Sequence, residues 1–109
     1  MKLSIKERLV LNMIMEKQAG RYDTLKLLRK FREDLSFTEE EIKDINLQSV
    51  DGQGFKWDKE LDKDVPIGDT VMGVIKNQFQ KLDREERLME DHMDLYSKFM
   101  EAATTPETS

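Results

Sequence analysis

The sequence predicts an α+β domain, mostly helical, with four to five helices and a small antiparallel β-hairpin in the middle. Reciprocal capping pairs open two segments, at Ser4 with Glu7 and at Thr38 with Glu41, where a hydroxyl and a carboxylate satisfy amides that a helix start leaves unbonded. Apolar residues recur at helical spacing over most of the chain. One stretch breaks that rhythm. Leu47, Val50, Phe55 and Trp57 alternate with polar residues around Asp51-Gly52-Gln53-Gly54, the pattern of two strands and a glycine-bearing turn.

The first helix is expected from Ile5 to Glu16. Leu9, Val10, Leu11, Met13, Ile14 and Met15 cover most of its circumference, and a helix apolar nearly all round belongs inside a core. Gly20 supplies a stop, and Asp23 or Thr24 the next N-cap. The second helix runs to about Leu35, with Leu27, Leu28, Phe31 and Leu35 on one stripe and Lys26, Arg29, Lys30 and Glu33 on the other. Glu39, Glu40 and Glu41 complement the positive end of a short third helix closing near Asp44. After the hairpin, Asp58 to Asp64 reads as a charged loop and Val65-Pro66-Ile67 as a brief edge strand, where proline's missing donor is harmless.

Asp69 or Thr70 caps a fourth helix bearing Val71, Val74, Ile75, Phe79 and Leu82. Leu88, His92, Leu95 and Phe99 are offset from that stripe by about one position, which places a break between Asp83 and Arg87 and a fifth helix from about Met89 to Glu101. Residues 1–101 are read as a single globular domain, and 102–109, small and polar with Pro106, as a disordered tail.

Composition narrows the function classes. A chain of 109 residues accommodates one core, and 38% hydrophobic with 38% charged residues is polar but still periodic. With no cysteine there is no disulfide, thiolate metal site or cysteine nucleophile. The longest apolar run, Leu9 to Met15, is interrupted by Asn12 and falls far short of a membrane span, and the start lacks the apolar segment of a signal peptide. No membrane partner and a cytoplasmic location are therefore expected. The net charge of −5 conceals an asymmetry: residues 1–35 hold nine basic against five acidic side chains, and residues 36–109 nine against eighteen. The two parts attract each other, and the acidic one repels phosphate.

Candidate chemistry is sparse. Helix, helix, short helix and hairpin over Ile5 to Asp58 follow the order of a winged helix, but its third helix would present Glu39, Glu40 and Glu41 to a phosphate backbone. Arg21, Lys26, Arg29 and Lys30 on or beside the second helix, with Arg32 nearby, form a better candidate patch for an anion or an acidic partner; the plainer reading is a solvated face or a complement to the chain's own acidic part. Asp58, Glu60, Asp62, Asp64 and Asp69 echo a calcium loop. Lys63 stands where such a loop needs glycine and Asp69 where it needs glutamate, so no metal site is assigned. His92, the single histidine, lacks partners at ligand or catalytic spacing and is expected to be a surface or half-buried residue packing near Tyr96. Methionine fills irregular core gaps or builds adaptable binding surfaces, and Met89, Met93, Tyr96 and Met100 are the candidate protein-binding cluster. Neither a catalytic set nor a cofactor site is predicted, and self-association is compatible with exposed methionines.

Leu3-Ser4-Ile5-Lys6-Glu7-Arg8-Leu9, Thr24 to Glu33, Leu35-Ser36-Phe37-Thr38-Glu39-Glu40-Glu41-Ile42 and Leu95-Tyr96-Ser97-Lys98-Phe99 give the chain a texture that resembles a family of small proteins encoded by bacteriophages and prophages. The resemblance spans residues 3–100 and implies a viral gene product in the host cytoplasm, a virion component or a host-interaction factor, without site residues to carry over. The expectation is a non-enzymatic protein-interaction module. The alternative is a nucleic-acid-associated regulator of winged-helix-like shape that uses the basic second helix.

Overall fold

The computed structural model describes residues 1–52 and 54–101, so the expected tail, 102–109, lies outside the described residues. The order is β1 (Lys2–Leu3), α1 (Ile5–Glu16), α2 (Tyr22–Leu35), α3 (Glu39–Ile45), β2 (Gln48–Val50), β3 (Gly54–Lys56), β4 (Lys63–Asp64), α4 (Asp69–Arg84) and α5 (Met93–Tyr96). A 3-10 turn, Glu90–His92, leads into α5, and a π-helical turn, Ser97–Glu101, follows it. The α+β, mostly helical class holds.

Both capping boxes form. Ser4 Oγ accepts the Glu7 amide at 3.2 Å while Glu7 Oε1 accepts the Ser4 amide at 2.8 Å. Thr38 and Glu41 repeat the exchange at 3.1 and 2.9 Å. The other two long helices begin one to three residues before the expected caps. Arg21 and Gly68 are the N-caps of α2 and α4, neither with a side-chain cap, and Asp23, Asp69 and Thr70 fall inside the first turns.

Helices α1, α2, α4 and the C-terminal helical segment pack in a ring, each against the next. Leu11 and Met15, Leu28, Phe31 and Leu35, Val71, Ile75, Phe79 and Leu82, and Leu95 and Phe99 meet in the middle, with Leu3 and Val65 closing one end. Two expectations fail here. Leu11 and Met15 are buried, but Leu9, Val10 and Ile14 are only partly so and Met13 is 55% exposed. Helix α1 has neighbours on two sides, α2 and α5, and is left open on a third. Leu27 likewise faces out at 47% exposure, because the buried stripe of α2 is Leu28, Phe31 and Leu35.

The place of Leu9 in the interior is taken by a charge. Arg8 is fully buried: its Nε donates to Leu35 O at 3.1 Å, Nη2 to Ser36 O at 2.7 Å, and its two terminal nitrogens form a fork on Glu41 at 3.0 and 3.2 Å. Its guanidinium carbon lies 3.8 Å over the Phe37 ring. One side chain thus joins α1 to the α2–α3 turn and to α3, satisfying carbonyls that the end of α2 leaves free.

The hairpin pairs Gln48 with Lys56, Ser49 with Phe55 and Val50 with Gly54, and Gly52 and Gly54 take positive φ of 75° and 91°. Val65-Pro66-Ile67 is not a strand. The strand is Lys63–Asp64, antiparallel to Lys2–Leu3, a pair sequence alternation does not reveal in two-residue strands. It is pinned by the Met1 amine, which reaches Asp64 Oδ1 at 2.7 Å and Val65 O at 2.9 Å, and by the Val65 amide on Met1 O. The expected break after Asp83 is a left-handed helix stop: Glu86 has φ 57°, its amide bonds to Asp83 O, and the Arg87 amide bonds back to Leu82 O. The fifth helix is therefore shorter and less regular than expected. Among the described residues no helix is long and apolar enough to cross a membrane.

Candidate docking groove

The open side of α1 is one wall of a groove of about 310 Å³. Val10, Met13 and Ile14 come from α1, Leu82 from α4, and Met89 and His92 from the chain that returns after the stop at Glu86. That return is fixed at three points. Leu88 packs against the core. Asp91 is paired with Lys6 of α1 at 3.0 Å. His92 stands edge-on to Phe79, with ring centroids 6.3 Å apart, and its Nδ1 accepts the Met89 amide at 3.1 Å. The apolar floor is bordered by Lys17, Arg87 and Gln78, with Asp91 at the side where Lys6 reaches it.

Electrostatics follow from those contacts. The Asp91 carboxylate, by hydrogen bond and then by charge, raises the Lys6 ammonium above its ordinary value, although Lys6 is exposed to solvent. Burial lowers the His92 imidazole below the ordinary histidine value, a shift that Asp91 opposes. His92 is half-buried, one of the two settings expected, but the ring it packs against is Phe79, which also meets Tyr96.

The structure divides the predicted methionine cluster. Met89 (62% exposed) lines the groove, and Met93 (53% exposed) points to solvent outside it. Tyr96 is half-buried against the edge of Phe79, with its hydroxyl 3.5 Å from Asp83, and Met100 packs on the core. Met13 was not among the predicted site residues. Its signal is the surplus apolar circumference of α1, which periodicity alone does not divide between core and surface.

Arg21, Lys26, Arg29 and Lys30 are all exposed, and among the described residues none of the four enters an ion pair. The Lys26 ammonium sits 5.4 Å from the ring centre of Tyr22, itself 74% exposed. A second hollow, about 510 Å³, lies between α2 and the start of α4, but there Lys30 shares the rim with Asp34 and Asp69. The acidic series after the hairpin is dispersed: Asp58 accepts from Asn46, Glu60 from Trp57, and Asp64 from the Met1 amine.

No family model matches the chain, and no curated protein or solved structure is significantly similar to it.

Proposed function

We propose that the chain is a non-enzymatic protein-interaction module that takes a partner's segment into the groove between α1, α4 and the Leu88–His92 return. The observation that carries this reading is the pair of exposed methionines, Met13 and Met89, lining one apolar groove with Val10, Ile14 and Leu82. Unbranched thioethers adapt to the shape of an incoming side chain and gain area when it covers them. The border gives the partner its chemistry. Lys17 has no ion-pair partner among the described residues, and Arg87 pairs only with Glu85, two positions away. The occupant is a protein segment carrying a bulky apolar side chain with a carboxylate beside it.

Selection from a random peptide library on the intact chain tests this. The expected result is enrichment of sequences with that apolar and acidic pairing, whose binding is lost in Met13→Asp and Met89→Asp variants that stay folded. Binders indifferent to both substitutions would remove the groove from the function. The resemblance to phage-encoded proteins supplies a setting, in which the segment belongs to a host or virion protein.

A second reading is favoured by cations on and beside α2 that enter no ion pair among the described residues. Arg21, Lys26, Arg29 and Lys30 form an exposed basic face that a nucleic-acid backbone would neutralise, and the chain would then be a nucleic-acid-associated regulator. That reading predicts duplex binding that weakens steeply with salt and disappears when Lys26, Arg29 and Lys30 are replaced by glutamine. Duplex affinity that is flat in salt, or unchanged in the triple variant, rejects it.

A further inference from the structure

We propose that His92 is a pH-operated latch on this groove: its neutral ring holds the Met89 amide in the groove wall, and protonation releases it. The consequence for docking rests on the reading above; the chemistry of the latch does not.

A backbone N–H only donates, so the ring nitrogen 3.1 Å from the Met89 amide, Nδ1, is the acceptor and carries no proton. Met89 stands immediately before the turn Glu90–His92, and His92 reaches back to its amide as a glutamate does in a capping box. An imidazolium has N–H groups at both nitrogens. Protonation therefore replaces a hydrogen bond by two opposed donors and leaves the amide in front of the turn to solvent.

The surroundings set the direction. In its own turn His92 has Asp91, whose carboxylate is engaged by Lys6 of α1 and still favours the charged ring, opposing the effect of burial. Lys17 of α1 and Arg87 line the same groove and bring no carboxylate that would favour a charged ring. From α4, Phe79, Leu82 and Gln78 offer no titrating group, and Tyr96 of α5 lies on Phe79 with its hydroxyl toward Asp83. Burial also holds the ring below the ordinary histidine value. A group whose folded pKa is lowered favours the latched state fully above its ordinary value, and that preference is lost as pH falls through the lowered one. Met89, more than half exposed, is then no longer held at the wall.

The test is an NMR titration of the intact chain, whose single histidine gives one unambiguous ring signal. The Met89 amide and methyl are expected to shift with the His92 midpoint, and that midpoint to lie below the ordinary histidine value. The affinity of a groove-dependent peptide from the library should change through the midpoint, and by linkage the bound peptide should shift the midpoint. His92→Gln keeps an acceptor with no proton to gain, so its Met89 signals should be independent of pH across the same range. Met89 signals that stay fixed through the His92 midpoint overturn the latch, as does a midpoint at or above the ordinary value; this wild-type comparison needs no variant to fold. If no library peptide depends on Met13 and Met89, the docking reading fails and the Met89 titration alone still decides the latch.

Discussion

Arg8 shows most clearly how a single side chain organises this molecule. A guanidinium without solvent is tolerable only because every face of it is used, by two carbonyls, a carboxylate fork and an aromatic ring. Arg8→Ala strands the Glu41 carboxylate and the carbonyls of Leu35 and Ser36, and should cost about 3–5 kcal/mol in urea unfolding. The same pair predicts acid sensitivity. The Arg8 hydrogen bond holds the Glu41 carboxyl below its ordinary value, so its contribution is complete above that value and is lost as pH falls through the lowered one. Stability measured from neutral to acid pH should therefore fall less in Arg8→Ala than in the parent. Glu86 makes the opposite case, a non-glycine residue at φ 57° in a helix stop that glycine adopts without penalty. Glu86→Gly should raise stability by about 0.5–1 kcal/mol, read as a higher urea midpoint. The capping pairs were readable from sequence because donor and acceptor lie three positions apart. The Arg8 clamp was not, since Glu41 is 33 positions away and nothing local marks an arginine among apolar neighbours for burial.

Periodicity sufficed for α4, whose buried residues Val71, Ile75, Phe79 and Leu82 fall on one stripe, and for the hairpin, whose turn needs glycines at positive φ; in α2 it gave Leu28, Phe31 and Leu35 but also Leu27, which faces out. It was ambiguous for α1, where apolar residues go nearly all the way round and only the tertiary neighbours decide which face is spared. That spared face, with Met13, is the part of the groove the sequence could not assign. Beyond the clamp of Arg8 on Glu41, the third helix and the hairpin are attached lightly: between Glu39 and Lys56, Ile45 is the one fully buried residue among those described. Regions with few buried apolar contacts open locally before the whole molecule unfolds. Backbone amides of Gln48–Val50 and Gly54–Lys56 should exchange with deuterium on the order of 100-fold faster than those of Leu11 or Ile75. Equal protection in both sets would mean that the hairpin belongs to the same cooperative unit as the helical ring.

Charge segregation along the chain is only partly consumed by folding. Lys6 with Asp91 and Arg8 with Glu41 join the basic early part to the acidic later part, as the sequence led one to expect, while the four cations at α2 are left to solvent. Replacing Lys26, Arg29 and Lys30 by glutamine should accordingly change unfolding free energy by less than about 1 kcal/mol, so that any lost binding reports a lost contact and not a damaged fold. The methionines allow the docking groove to be tested directly, because the seven occupy distinct settings. Met13 and Met89 line the groove, Met15 is buried, Met1, Met72 and Met100 are packed against the core, and Met93 is exposed elsewhere. Methyl NMR of the chain labelled at methionine, titrated with a library-selected peptide, should show saturable shifts at Met13 and Met89 with Met93 and Met100 unmoved. Shifts centred on Met93, or confined to the α2 amides with Met13 and Met89 silent, would contradict the groove as the place where a partner binds.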